Sequence, residues 1–403
     1  LDAVHSLTNP SGIAATLSIG VGVGAETLQE LMQYANLSIE MSLSRGGDQA
    51  VIRNQLTFEF YGGRSKETEK RTKVKSRVMA NALSALVADA SRVFVMGHKA
   101  ADNDAVGAAA GICAIARKKG VRANIIQEPG AYPGKVLADR LFGKREYEEC
   151  FLAPQEALAA LDSQSLVVVV DTNRPEQVVS LEVLQAANRV AVIDHHRRAA
   201  TYIDGAALNY HEPYASSASE LVTELLQYIM EPADLLRVEA EALLAGIVLD
   251  TKNFTMRTGG RTFESAAFLR RSGADTAEVK KLFQNDLAGT IAKYDIIQNA
   301  KLYRNQIAIA VVDHTVGRIV AAQAADELLN ITGIDTSFVL YPDDATGRIV
   351  ISARSMGDTN VQVIVEPLGG GGNAAAAGGQ IPGKSLEQVA QELTMSIDRY
   401  LED

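Results

Sequence analysis

The sequence lacks three features, each of which would point to a particular class of protein. It has two cysteines in 403 residues, Cys113 and Cys150, which excludes a disulfide scaffold and a cysteine metal site. Its strictly apolar stretches, such as residues 242–249, are far shorter than the ~20 residues of a membrane-spanning helix. Positive charge is also scarce, because 39 Lys and Arg against 49 Asp and Glu give a net charge of −10. This balance argues against a broad basic face for duplex nucleic acid or anionic lipid.

The composition is otherwise that of a folded, globular chain. Apolar residues make up 47% and charged residues 22% of the sequence, which excludes a disordered or fibrous protein. The length predicts two or three domains. The chain starts at Leu1 and shows no secretory signal, so we expect a soluble, cytosol-facing fragment of a longer protein.

The pattern of apolar residues divides the chain into four segments. Residues 1–59 contain a strand-like run, a helical pattern and a turn into a further strand, which is too little for a complete domain. Residues 60–90 are predicted to be a polar, basic linker followed by a helix. In residues 91–302, β-branched runs alternate with helical segments, which predicts an α/β fold with a doubly wound, mostly parallel sheet and a helical connector. Residues 303–403 are predicted to form a second, smaller α/β domain across a cleft.

Acidic and imidazole side chains follow four apolar runs of the third segment. Because the carboxyl ends of parallel strands converge on one crevice, we expect these side chains to meet around a common point. Clustered carboxylates repel one another unless a cation neutralises them, and Asp with His but no thiolate suits Mn²⁺ or a similar divalent ion. Two ions about 3.5–4 Å apart would hold an attacking water and a phosphoryl oxygen. The residues concerned are His98, Asp102, Asp104, Asp171, Asp194, His195, His196 and Asp250.

Each of these residues alone would have an ordinary structural explanation. An aspartate after a buried strand is often a turn residue or a helix N-cap. The four occurrences together, with His98 and His195 among them, favour a metal centre. The remaining histidines, His5, His211 and His314, have no partner in the sequence and are predicted to be structural or surface groups.

The motif order H-x3-D-x-D, then D, then DHH, then D resembles the DHH phosphoesterase superfamily. The stretches SARSMGDTNVQ (352–362) and GGGGN (369–373) resemble the DHH-associated substrate-binding domain. At the front, TLSIGVGVG, a helix and RGGDQAVI resemble the last third of a degenerate GGDEF domain. The three together resemble the membrane-anchored cyclic-di-AMP phosphodiesterases (GdpP type).

This resemblance implies a metal centre for two Mn²⁺ ions, with Mg²⁺ or Co²⁺ as alternatives. Asp194 would orient a ligand histidine, and His196 would stabilise the attacked phosphate, so both are assigned to catalysis. The implied metal ligands are His98, Asp102 and Asp171 for one ion, and Asp104, Asp171, His195 and Asp250 for the other.

The resemblance also implies a substrate site in the last domain. Ser352 and Arg354 would hold the nucleotide, since an arginine fork suits phosphate. Glycines allow close backbone approach to a phosphate. Arg257 and Arg261 are weaker candidates and are predicted to be structural. The implied site is completed by Gly369, Gly370, Gly371, Gly372 and Asn373.

Asn373 departs from the family motif, which has histidine at this position. Asparagine can hydrogen-bond a phosphate but cannot carry a proton or a positive charge. We therefore expect lower turnover, with substrate binding surviving in part.

The implied activity is two-metal hydrolysis of cyclic-di-AMP to the linear dinucleotide 5′-pApA. The resemblance further implies a homodimer and a membrane-anchored parent protein, with this chain on the cytoplasmic side of the cell membrane. Two alternatives remain: an oligoribonuclease or 3′-phosphoadenosine phosphatase of the same superfamily, and a cyclic-dinucleotide sensor with low turnover. A single-strand exonuclease and a pyrophosphatase are less favoured, because no basic stripe or additional basic groups are evident.

Overall fold

The computed structural model divides the chain into two compact units, Leu1–Gln284 and Asn285–Asp403. The predicted turn at 45–47, much of the linker (63–72) and residues 357–358 lie outside the described residues. The structure describes residues 4, 17–25, 27–44, 48–53, 58–62, 73–196, 201–284, 286–304, 306–356 and 359–402.

A small three-stranded sheet forms the front of the first unit. Strands β1 (Ile19–Gly22) and β2 (Gln49–Arg53) are parallel, and β3 (Phe58–Gly62) pairs with β2 in antiparallel orientation. Helix α1 (Leu28–Ser44) connects β1 to β2 and packs on both strands. This is the strand–helix–strand order that the sequence pattern predicts for the first segment.

Six parallel strands form the main sheet of the first unit: β4 (Val93–Met96), β5 (Ala123–Ile126), β6 (Phe151–Leu152), β7 (Leu166–Val170), β8 (Arg189–Asp194) and β9 (Leu208–His211). Their order is β6-β5-β4-β7-β8-β9. The apolar runs of β4 and β7 are buried along their whole length, as expected for a parallel sheet covered on both faces. The chain runs outward from β4 to β6 and returns at β7, so β4 and β7 flank the switch point at which ligands bind in such folds. The predicted doubly wound α/β fold is confirmed.

Helices cover this sheet, and none of the described helices is long and apolar enough to cross a membrane. Two of these helices, those that contain Gly107 and Ala242, approach each other closely because they have small residues where they meet. A Cβ on Gly107 would lie 2.4 Å from the carbonyl oxygen of Ala242. The helices are α2 (Lys73–Ala88), α3 (Asn103–Lys118), α4 (Lys135–Phe142), α5 (Pro154–Ala160), α6 (Leu181–Ala186), α7 (Ala218–Ile229), α8 (Arg237–Asp250), α9 (Gly260–Arg271) and α10 (Thr276–Lys281). The Gly107 contact joins α3 to the middle of α8. A Cβ on Gly246 would lie 2.6 Å from Oδ1 of Asp104, so the start of α3 lies near the end of α8.

The second unit is a six-stranded mixed sheet with helices, which confirms a second α/β domain. Its elements are α11 (Leu287–Gln298), β10 (Ala300–Tyr303), β11 (Ile307–Val311), α12 (Arg318–Leu328), β12 (Thr336–Asp343), β13 (Arg348–Ser355), α13 (Val361–Val365), β14 (Gly371–Gly372), β15 (Ala376–Pro382) and α14 (Leu386–Glu402). The strand order is β10-β11-β12-β13-β15-β14, and only β11 and β12 are parallel. Helix α11 packs on α12 and β11, so it belongs to the same compact unit as the strands that follow it.

Candidate metal centre and substrate pocket

The carboxyl ends of β4, β7 and β8 bring imidazole and carboxylate groups together. His98 follows β4 and is fixed by a backbone bridge to Val178, Asp171 follows β7, and His195 follows β8. Among the described residues, three groups each place ligand atoms within 4.8 Å of one another: His98, Asp102 and Asp171; Asp104, His195 and Asp250; and Asp171, His195 and His196.

Asp171 lies between the first two groups. Its Oδ2 is 3.4 Å from Nε2 of His98, and its Oδ1 is 3.4 Å from Nε2 of His195. The side chain is almost completely buried, and the backbone is left-handed, with φ of 59°. A non-glycine residue in this conformation carries strain, and such strain is concentrated at functional sites. The turn at Asp171 therefore directs one carboxylate towards both histidines.

The first turn of α3 supplies two further carboxylates. Asp102 is the N-cap, and its Oδ1 accepts hydrogen bonds from the backbone of Asp104 (2.9 Å) and Ala105 (3.2 Å). Asp104 is fully buried and accepts from the backbone N–H groups of Ala218 (2.7 Å) and Ser219 (2.8 Å). These two groups begin α7, so the helix dipole stabilises the charge on Asp104.

Asp250 ends α8 and completes the second group. Its Oδ2 lies 3.1 Å from Nε2 of His195. The chain then makes a left-handed turn, with positive φ at Lys252, Asn253 and Phe254. Each such residue costs roughly 1–2 kcal/mol, so the turn is unusual and fixes where the helix ends. No local sequence pattern indicates this turn.

Asp194 holds the ring of His196. Its fully buried carboxylate accepts from the His196 backbone N–H (3.2 Å) and from Nδ1 of the same residue (2.9 Å). Nδ2 of Asn173 also donates to Asp194, and Nε2 of His211 donates to the His196 carbonyl oxygen. In the sequence, the run Asp-Thr-Asn after β7 was a signal for Asn173. The position of His211 opposite Asp194 is visible only in the β8–β9 register of the structure.

The pKa values reflect acidic groups packed together. Burial raises the pKa of Asp104 well above its usual range, and the charges of Asp171 and Asp250 raise it further. The same three causes raise the pKa of Asp102. Burial also acts to raise the pKa of Asp171, but the nearby imidazoles of His195 and His98 outweigh burial and the net shift is downward. A cation among these groups would relieve the repulsion that raises the first two values.

Buried atoms without hydrogen-bond partners test whether a metal fits. Among the described residues, these atoms include Oδ1 of Asp171 and both ring nitrogens of His195. A buried polar atom without a partner is costly, and a coordinated ion would satisfy such atoms. Carboxylate oxygens with imidazole nitrogens are a donor set that suits divalent ions such as Mn²⁺. The cluster can therefore hold metal.

A cavity of about 500 Å³ lies in the second unit, beside β13 and the glycine-rich loop. Oε1 of Gln380, one of the lining residues, is 3.4 Å from Nη1 of Arg348. The Arg354 guanidinium is held by Asp326, with Nε 3.3 Å from Oδ1. Five predicted substrate-binding residues line the cavity, together with Arg318 and Tyr341 among others: Ser352, Arg354, Gly369, Gly370 and Gly371.

The glycine-rich loop has a steric requirement for glycine. A Cβ on Gly370 would lie 2.2 Å from Cγ1 of Val365 and 2.6 Å from the carbonyl oxygen of Gly378. Gly372 and Asn373 are not among the residues that line the cavity. Instead, Oδ1 of Asn373 accepts from the backbone of residues 375 (3.0 Å) and 376 (2.9 Å), which closes the turn between β14 and β15.

The two weaker arginine candidates have different environments. Arg261 is buried, with Nε 2.6 Å from Oε1 of Glu224, and it donates to Oγ of Ser76 at 2.9 Å. These contacts join α9 to α7 and α2. Arg257 is exposed, with a positive φ of 48°.

Comparison with known families matches three parts of the chain. Residues 92–247 match the DHH family, N-terminal domain, and residues 304–403 match the DHHA1 domain. Residues 2–60 match the GGDEF domain described as cyclic-di-AMP phosphodiesterase GdpP-like. The matches therefore extend from the front segment to the last domain.

Two curated relatives align with almost the whole chain. The cyclic-di-AMP phosphodiesterase PdeA of Listeria monocytogenes is 41% identical over 409 residues, which cover 99% of this chain and 62% of the relative. The cyclic-di-AMP phosphodiesterase GdpP of Bacillus subtilis is 41% identical over 411 residues, which cover 100% of this chain and 62% of the relative. The chain thus spans less than two thirds of the length of these relatives.

A solved structure with a similar fold is an exopolyphosphatase-related protein from Bacteroides fragilis. Its TM-score is 0.67 at 20% sequence identity, and the match covers 83% of this chain and 98% of that protein. At this level of identity, the likeness supports the fold.

Proposed function

We propose that the chain, whose residues 92–247 and 304–403 match the DHH and DHHA1 domains, is a DHH-family, metal-dependent phosphodiesterase that hydrolyses cyclic-di-AMP to 5′-pApA. The observation that carries this proposal is the 41% identity to two cyclic-di-AMP phosphodiesterases along essentially the entire chain. The GdpP-like match of residues 2–60 adds support from outside the catalytic domain.

The proposed centre holds two divalent ions, with Mn²⁺ preferred over Mg²⁺ or Co²⁺. When bound, they supply Lewis-acid activation of a water molecule and of the phosphoryl oxygens. The arrangement is supported by the two ligand groups and by the position of Asp171 between them. The proposed ligands are His98, Asp102 and Asp171 for one ion, and Asp104, Asp171, His195 and Asp250 for the other.

His196 is proposed to face the attacked phosphate. Its side chain is 54% exposed, whereas that of His195 is buried. Asp194 fixes the ring through Nδ1, so Nε2 is available for the substrate. When the ring carries both protons, its Nε2–H can donate to a phosphoryl oxygen and stabilise developing charge. Asp194 then acts by orienting His196.

The cavity of the second unit is proposed to bind the nucleotide. The Ser352 hydroxyl and the Arg354 guanidinium supply donors for phosphate, and Asp326 holds that guanidinium in place. A Cβ on Gly371 would project into open space, with no atom within 4 Å beyond its chain neighbours, so a phosphate can approach the backbone of the loop at this residue.

Replacing Arg354 by alanine is expected to weaken substrate binding more than turnover. A hydrogen bond to a charged group contributes about 1.5–3 kcal/mol, so KM is expected to rise roughly 10–100-fold. Lysine at this position keeps the charge but loses the fork, and should recover part of the loss. Steady-state kinetics on cyclic-di-AMP measures both variants. Arg399→Ala, an exposed arginine of α14, is the control, and an equal effect there would contradict a role for the cavity.

Restoring histidine at position 373 is expected to raise kcat by about 10–100-fold, the value of one charge-assisted hydrogen bond. Asn373→Ala is the matched control, because it also loses the turn contacts to residues 375 and 376 but adds no imidazole. Both variants should therefore melt at a lower temperature than the parent, while only the histidine variant gains turnover. If Asn373→His did not raise kcat, the prediction that Asn373 lowers turnover would be wrong.

A second candidate is a cyclic-dinucleotide sensor with low turnover, and the observation that favours it is Asn373 in place of the family histidine. Hydrolysis of cyclic-di-AMP and of pApA, measured side by side with added Mn²⁺, distinguishes the possibilities. Preference for the cyclic substrate with accumulation of pApA is the expected result. Preference for pApA would indicate an oligoribonuclease or 3′-phosphoadenosine phosphatase, and binding without cleavage of either would indicate the sensor.

The wider assembly is also a proposal. The resemblance to membrane-anchored phosphodiesterases supports a full-length protein held in the membrane, with this chain on the cytoplasmic side, and a homodimer. Cell fractionation of the full-length protein tests whether it is held in the membrane. Sedimentation of the chain tests whether it forms a homodimer.

A further inference from the structure

The only two cysteines of the sequence lie side by side in the structure. Cys113 is on α3, and Cys150, which is 37 positions further along the chain, immediately precedes the edge strand β6. Their Sγ atoms are 3.7 Å apart, and both residues are almost completely buried. The pair lies away from the proposed metal ligands, which follow the carboxyl ends of the strands.

A cavity of about 550 Å³ is lined by both cysteines. Arg117 and Tyr147 also line it, and both are bonded to Glu239 beside the pair. The cavity gives a small polar oxidant a route to the sulfur atoms that their low exposure alone would not suggest.

The two thiols differ in the direction in which their pKa values are shifted. The hydrogen bond from Cys113 lowers the pKa of Cys150, whereas the same contact, together with burial, raises the pKa of Cys113 well above its usual range. Because the thiolate is the reactive form of cysteine, Cys150 is the thiol that reacts first.

We propose that Cys113 and Cys150 form a peroxide-reactive modification site at which the folded protein makes a reversible disulfide. The Cys150 thiolate attacks a peroxide oxygen, the O–O bond breaks, and a sulfenic acid and hydroxide result. The sulfur of Cys113 then attacks the sulfur of Cys150, and the S–O bond of the sulfenic acid breaks. The departing hydroxide takes up the thiol proton of Cys113 and leaves as water. Overall, two thiols and one hydrogen peroxide give one disulfide and two waters, with two electrons passing from sulfur to peroxide. A dithiol reductant reverses the change by exchange.

The disulfide would tether α3 to the edge of the main sheet. The Cys150 carbonyl oxygen already accepts from the backbone of Ile125 on β5 (2.8 Å). The other end of α3 carries Asp104, and Asp102 caps it. The tether thus fixes the helix that presents two proposed metal ligands, and it closes a loop in the unfolded chain, which raises the melting temperature.

Peptide mapping of the folded protein after treatment with hydrogen peroxide tests this proposal. The expected result is a linked Cys113–Cys150 peptide, loss of both free thiols, a higher melting temperature, and return of all three properties after a dithiol reductant. Thiols that stay free in the folded protein, or sulfinic acid without a linked peptide, would overturn it.

Single serine variants provide the controls. Cys113→Ser is expected to give no linked peptide and a Cys150 sulfenic acid that a dimedone probe labels. Cys150→Ser is expected to give no linked peptide and no sulfenic acid that dimedone labels. Melting of the reduced variants shows that each is folded, and dimedone labelling of Cys113 in the second variant would contradict the proposed order. This site does not depend on the proposed phosphodiesterase activity, so the two can fail independently.

Discussion

Replacing Asp171 by asparagine is expected to remove nearly all hydrolysis of cyclic-di-AMP. The two oxygens of this carboxylate face His98 and His195, so the change removes the charge shared by both proposed ion sites. Metal activation is worth several kcal/mol in the transition state, which corresponds to a loss of about 10³-fold or more in kcat. Asparagine is similar in size and tolerates the left-handed backbone found here, so the fold is expected to survive.

The measurement is kcat/KM in added Mn²⁺, with circular dichroism and melting to establish folding. Asp204→Asn is the matched control, because it makes the same chemical change at an exposed aspartate of the first unit and should leave the rate unchanged. A folded Asp171→Asn protein that retains more than a tenth of the activity would contradict the bridging role.

Replacing Gly246 by alanine is expected to damage both stability and metal binding. A Cβ at this position would lie 2.2 Å from Oγ of Ser219 and 2.6 Å from Oδ1 of Asp104. Asp104 is held at the start of α7 by backbone hydrogen bonds, so it cannot move aside without losing them. Overpacking of this kind lowers the free energy of unfolding by about 1–3 kcal/mol, and the displaced carboxylate should weaken Mn²⁺ affinity as well.

Urea denaturation and Mn²⁺ titration measure the two effects. Gly260→Ala is the control, since a Cβ there has no atom within 4 Å beyond its chain neighbours. If Gly246→Ala were as stable and bound Mn²⁺ as tightly as the control, the packing of α7 against α3 and α8 would not determine the position of Asp104.

The positions of the clustered side chains were predictable because the rule involved is general. Apolar β-branched runs gave parallel strands, and the carboxyl ends of parallel strands meet at one edge, so His98, Asp171 and His195 had to come close. The positions of Asp102 and Asp104 followed from the start of the helix after β4. Asp250 was expected from its place after an apolar helical run.

Other contacts could not be read from the sequence because they depend on tertiary packing. Asp194 was expected to orient a ligand histidine, whereas its carboxylate holds the ring of His196, which was expected to face the substrate. His211 was assigned to a structural or surface role, and its contact with the His196 carbonyl oxygen is one that no local pattern indicates. The pairing of Arg354 with Asp326 joins residues of β13 and α12, and no local pattern links them.

Asn373 illustrates a different limit. The motif comparison identifies it as a departure in the substrate site, because only the residue type is visible there. In the structure its side chain closes the turn between β14 and β15 and does not line the cavity. A single residue can thus change a proposed catalytic contact and stabilise a turn at the same time, which is why the alanine control is needed beside the histidine variant.

Metal analysis combined with electron paramagnetic resonance determines whether Asp171 joins two metal sites. We expect two Mn²⁺ ions per chain with a spin-coupled spectrum, since ions that share a carboxylate lie about 3.5–4 Å apart. Asp171→Asn should lose this coupling. A parent protein that binds one ion or none, or two ions without coupling, would exclude the bridging role of Asp171.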